Sequence, residues 1–119
     1  MQMPARTEVE LDIFSGMPNP TWALTTAEAD ALARLVAELP RTAASELSGK
    51  LGYRGLVVKI TRGTGTRLVR VQAGSVHIVE GGTTIQARDE GRALERWLVR
   101  TGRPHLTENI MEIVERDMR

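Results

Sequence analysis

The chain has 119 residues, 16 basic and 15 acidic side chains for a formal charge of +1, and no cysteine. That length suits one domain with a single core. The charge balance gives no general attraction to nucleic acid or to an anionic membrane, and the lack of thiols excludes disulfides, thiolate metal sites and cysteine nucleophiles.

Composition, 41% hydrophobic and 26% charged, is that of an ordinary globular domain, and a cysteine-free one fits a cytoplasmic protein. No apolar run approaches the length of a bilayer span. Residues 1–7 lack the apolar centre of a secretion signal and read as a flexible tail ahead of a single domain spanning 1–119.

From Glu8 to Phe14 the residues alternate, with Val9, Leu11 and Ile13 on one side and Glu8, Glu10 and Asp12 on the other. This is the period of a half-buried strand. Phe14 to Trp22, FSGMPNPTW, is a stiff loop, because Pro18 and Pro20 fix their own φ and push Met17 and Asn19 toward extended geometry. Thr25 and Glu28 have the spacing of a capping box, and Leu32, Leu35, Val36 and Leu39 form the apolar stripe of a helix from Ala27 to Leu39, which Pro40 stops. Between Arg41 and Gly49 the signals are mixed, and Ala43, Ala44 and Leu47 allow a short helical turn.

Four β-rich runs follow: Leu56 to Ile60, Arg67 to Gln72, Ser75 to Glu80 and Thr83 to Arg88. Glycine-bearing turns separate them, as in an antiparallel meander. A second helix runs from Asp89 to Arg100 with Leu94, Trp97 and Leu98 inward and Gly91 weakening its first turn. Thr107 caps a third helix reaching Met118, with Leu106 placed to staple onto Met111 and Ile110, Ile113 and Val114 as its apolar face. The expected fold is α+β, a two-layer sandwich of three helices on one face of an antiparallel sheet of about five strands. The N-terminal strand pairs with one edge of the meander.

No catalytic or metal-binding motif is present. His77 and His105 have no serine or acid at a catalytic spacing, and the glycine runs lack the lysine and following helix of a phosphate loop. No cofactor is implied. Lys59, Arg70, His77, Gln86 and Arg88 alternate along the meander and share a face, a solvated one or a basic platform, without the aromatic residues that stack on bases. Asn19, Trp22, Tyr53 and Arg54 stand in two loops beside strands and form the candidate binding corner: a restrained amide, two rigid aromatic surfaces and a planar fork for a carboxylate. The alternative is that all four brace the corner.

The run Asp12 to Leu24, with Leu51-Gly52-Tyr53-Arg54-Gly55 after it, resembles a pattern, FSGxPNPxW followed by LGYRG, of small bacterial proteins from GC-rich genomes whose function is unknown. The resemblance covers roughly the first half of the chain. It implies no catalytic residue or activity, and at class level an accessory role in a biosynthetic pathway.

The function expected is therefore a non-catalytic binding or accessory protein that recognises a peptide or partner protein, with no nucleic acid or membrane partner. An exposed meander edge invites a homodimer or hetero-complex. One alternative is a small enzyme whose site assembles from Asp12, Tyr53, Arg54 and His77. Another is a structural subunit of a larger complex.

Overall fold

The computed structural model describes residues 5–14, 16–43 and 45–119. Alternation sets the sheet. Strand β1 (Arg6–Leu11) buries Thr7, Val9 and Leu11 on one face. Arg6 and Thr7 therefore belong to the sheet and not to the tail expected over residues 1–7, of which residues 1–4 lie outside the described residues. The proline-rich loop does not lead straight to the helix. It folds back as β2 (Thr21–Ala23), antiparallel to β1 with Val9 opposite Trp22. This short strand is why the sheet has six strands and not about five.

The meander forms as read: β3 (Leu56–Arg62), β4 (Gly65–Gln72), β5 (Ser75–Glu80) and β6 (Thr83–Arg88), giving the order β2-β1-β3-β4-β5-β6. Every neighbouring pair is antiparallel. Residues directly opposite one another share a face. Trp22, Val9, Val58, Val69 and Ile78 make one buried row across the sheet, and Leu11, Leu56, Val71, Val76 and Ala87 make the next.

Three helices cover that face in a single core: α1 (Thr26–Ala37) through Leu32 and Val36, α2 (Ala93–Gly102) through Leu94, Leu98 and Val99, and α3 (Glu108–Asp117) through Ile110 and Val114. Thr25 and Glu28 form the capping box, with Glu28 N donating to Thr25 Oγ1 at 3.1 Å and Thr25 N to Glu28 Oε1 at 2.9 Å. Thr107 caps α3 through Ile110 N. Ile113, expected inward, is 36% exposed.

Helix α2 starts later than Asp89. Gly91 and Arg92 take left-handed φ values of 62° and 56°, so Glu90–Arg92 is a tight 3-10 turn. The buried carboxylate of Asp89 then accepts from the main-chain N–H groups of Leu94 and Glu95, at 2.8 and 3.0 Å, as an N-terminal cap would.

No helical turn forms between Arg41 and Gly49 among the described residues; Ala44 lies outside them. The chain instead rounds the β6 edge, where Arg88 N donates to Pro40 O and Thr42 N to Gln86 O, and then crosses the opposite face of the sheet as a strap. Gln86 Oε1 accepts from Ser45 N at 3.0 Å, and Gln72 takes Ser48 N at 2.6 Å and returns a bond to Ser48 O at 3.1 Å. His77 Nε2 lies 2.7 Å from Ser45 O, and since a carbonyl only accepts, that nitrogen carries the proton. The polar face is thus shared as expected, but His77 and Gln86 spend their hydrogen bonds on the strap.

Gly55 joins the second loop to β3 with φ at +86°, and a Cβ there would stand 2.1 Å from Val71 O. Gly55→Ala is therefore expected to cost about 3 kcal/mol or more in chemical denaturation, from strain and backbone collision together. Gly49→Ala, which meets nothing within 4 Å, should change stability by less than about 1 kcal/mol. Equal effects would contradict this geometry.

Candidate functional site

The two loops meet on residues 12–14. Asn19, held between prolines, does address a backbone, but its own: its Oδ1 accepts from Ile13 N at 3.0 Å and Phe14 N at 2.7 Å, while Nδ2 donates to Glu10 Oε2 at 2.7 Å. Arg54 reaches the same segment from the other loop. Its guanidinium donates to Asp12 Oδ1 at 2.8 Å, to Phe14 O at 3.1 Å and to Lys50 O at 3.2 Å. Main-chain bonds from Arg54 N to Asp12 O and from Asp12 N to Gly55 O carry the β1–β3 ladder past its last regular pair.

Trp22 and Tyr53 turn inward instead. Trp22 is 4% exposed; its Nε1 donates to Thr101 Oγ1 at 2.9 Å, its indole stacks on His105 with planes 2° apart, and its ring lies where a side chain on Gly102 would stand. Tyr53 is buried as well and donates to Glu95 at 2.5 Å. Glu95 and Thr101 are six residues apart on α2, so these anchors are separated by about 9 Å of helix. Of the four corner residues, Asn19 and Arg54 converge on one segment, and Trp22 and Tyr53 take separate points along α2. Each has the intramolecular partners that a brace requires. The apolar side chains that the two loops leave outward are Met17, 59% exposed, and Leu51, 87% exposed.

The partner of Tyr53 belongs to a cluster that sequence reasoning missed. Glu95 is fully buried and accepts from Tyr53 Oη, from Ala73 N at 2.9 Å and from Arg92 Nε and Nη2 at 2.9 and 2.8 Å. Arg92 also donates to Asp117 Oδ2 at 3.0 Å and to its carbonyl at 2.9 Å, and Lys50 Nζ pairs with Asp117 at 2.7 Å. Burial, and then the Glu95 carboxylate, push the Tyr53 hydroxyl far above the ordinary phenol range. Burial opposes ionisation of Asp117, but the bonds from Lys50 and Arg92 outweigh it and hold its carboxyl below the usual value. A signal existed: Glu95, Leu98, Val99 and Gly102 stand at i, i+3, i+4 and i+7, which puts a carboxylate on the inward face.

The four residues named for an enzyme fall into three places. Asp12 and Arg54 pair with each other and line a polar cleft of about 340 Å3 beside Ser48, Arg70 and Gln72. Tyr53 is sealed against Glu95, and His77 holds the strap; neither lines that cleft.

A larger cleft, about 690 Å3, opens on the helix-covered face between α1 and the β3–β4 end of the sheet. Leu24, Ala29, Leu32, Ala33, Ile60 and Val69 supply its apolar walls, and Arg62, Arg67, Asp30 and Glu80 its charges. It exists because α1 presents alanines at positions 29 and 33, too short to fill the space over Ile60.

A scan against protein-family models finds no match for this chain, and searches of curated proteins and of solved structures find none either. Among the described residues, no group of three or more His, Cys, Asp or Glu side chains could hold a metal ion, and no helix is long and apolar enough to cross a membrane.

Asn19→Ala leaves two partly buried N–H groups without their acceptor and is expected to lower stability by about 1–3 kcal/mol in urea titrations. An unchanged midpoint would mean that the loop closes without it. Asp117 has a depressed folded value, so its contribution is present above the unfolded value near 3.8 and is lost as pH falls through the folded one. Asp117→Asn should therefore be less stable than wild type at neutral pH, with the difference narrowing as the pH falls below the unfolded value of 3.8. A difference that stays constant across that range would contradict the pairing.

Proposed function

We propose that this is a non-catalytic binding protein that recognises a peptide segment, free or carried by a partner protein, in the cleft between α1 and the sheet. The observation that carries this reading is the cleft itself. Its volume lies in the range of roughly 300–1,000 Å3 typical of ligand sites, and it combines apolar walls with a few charges, as such sites do. The side chains named for catalysis support the same view, because each is already committed to an intramolecular partner.

Strand addition is a poorer fit than the cleft. The β2 edge is three residues long, and residues 40–42 cover half of the β6 edge, leaving 83–85. The accessory role that the sequence pattern implies suits a binder with no chemistry of its own.

Panning a displayed library of random peptides against the wild-type chain and Ala33→Trp tests the reading. Ala33 is exposed on α1 and lines the cleft, so an indole there fills the space without touching the core. Sequences enriched by wild type and lost by the variant, with unchanged circular dichroism, are the expected result. Enrichment indifferent to Ala33→Trp, or none at all, would reject the cleft.

A second reading, a small enzyme, has one observation in its favour: Asp12 and Arg54 line a common polar cleft with Arg70 nearby. Arg70→Ala, which breaks no bond described above, separates the readings. Loss of a detected turnover would favour the enzyme, and unaltered peptide binding would favour the binder.

A further inference from the structure

We infer that the α1 cleft takes the free C-terminal carboxylate of a peptide ending in an apolar residue; this rests on the cleft reading above and names its ligand. Arg62 and Arg67 both line the cleft from the β3–β4 hairpin. Among the described residues Arg62 has no ion-pair partner. Arg67, 37% exposed, faces Glu80 in a loose ion pair whose nearest oxygen is 4.0 Å from Nε, too far for a hydrogen bond, and that Nε has no hydrogen-bond partner. A carboxylate is the group whose geometry matches a guanidinium edge. Asp30 and Glu80 on the same walls disfavour a polyanion and leave room for a single acidic group.

The shape of the cleft selects an end over the middle of a chain. Its floor belongs to β3 and β4, interior strands paired on both sides, and its other wall is a helix. Neither offers main-chain partners to a passing strand. A terminal residue needs none: its side chain rests among Leu24, Ala29, Ala33 and Ile60 while its carboxylate meets Arg67 and Arg62.

The test is titration of the full, isotope-labelled chain with short synthetic peptides ending in Leu, Val or Ile, each as the free acid and as its C-terminal amide. Free acids should shift the amide resonances of Ala29, Ala33, Ile60 and Arg67, and the amides should bind about tenfold more weakly or worse. Arg67→Gln, and independently Arg62→Gln, should reduce that preference while the spectrum stays folded. Equal binding of acid and amide in the cleft would overturn the carboxylate assignment and leave the cleft reading standing. No shift with either form would overturn the inference, and the library experiment would then decide the cleft reading separately. Shifts of the same residues on raising the protein concentration alone would give the cleft to a second copy of the chain and overturn the inference as well.

Discussion

A carboxylate with no access to water holds the parts of this protein in register. Glu95 cannot be buried uncompensated, since an isolated charge in the interior is prohibitive, and its four donated bonds come from three regions distant in sequence. Tyr53 fixes the chain ahead of β3, Ala73 the β4–β5 turn, and Arg92 the start of α2. Arg92 is held in a left-handed conformation that costs a non-glycine residue energy, and its bonds to Glu95 and Asp117 offset that strain. Through Asp117 and Lys50 the same network reaches the end of α3 and the strap. Removing any one member exposes the rest to an unpaired partner, so these groups stand or fall as a set.

Local signals carried most of the fold. The strand periods, the glycine-marked turns and both threonine caps were legible because each depends on residues within a few positions of one another. Pairing of β1 with the meander followed from the need to satisfy main-chain groups. What was not legible is long-range. Thr21-Trp22-Ala23 is too short a run to announce a strand, and becomes one because β1 offers an open edge. Residues 45–48 have no periodicity, since side chains from three strands hold them and not their own pattern.

The candidate corner was half legible for the same reason. Pro18, Asn19 and Pro20 announce a loop that presents an amide, and Arg54 a fork. The identity of the recipient depends on tertiary placement: for Asn19 it is Ile13 and Phe14, and for Arg54 it is Asp12 and Phe14. Glu95 shows the opposite case. Its position on an apolar stripe was visible, but the residues that neutralise it were scattered across the chain. The α1 cleft was hidden differently, because small residues on a helix read as propensity and only the assembled structure reveals the space they leave.

The strap makes the sheet's alignment verifiable by the molecule itself. Gln72, His77 and Gln86 meet it from three successive strands. A one-residue slip of any of these strands would swing its side chain to the helix side, and the strap would lose that anchor. Mispaired forms of the meander, which local turn chemistry alone rejects only weakly, therefore lack a cover that the native pairing has. Full docking of the strap requires both of the pairings that join β4, β5 and β6 to be correct, so the docked strap reports strand alignment.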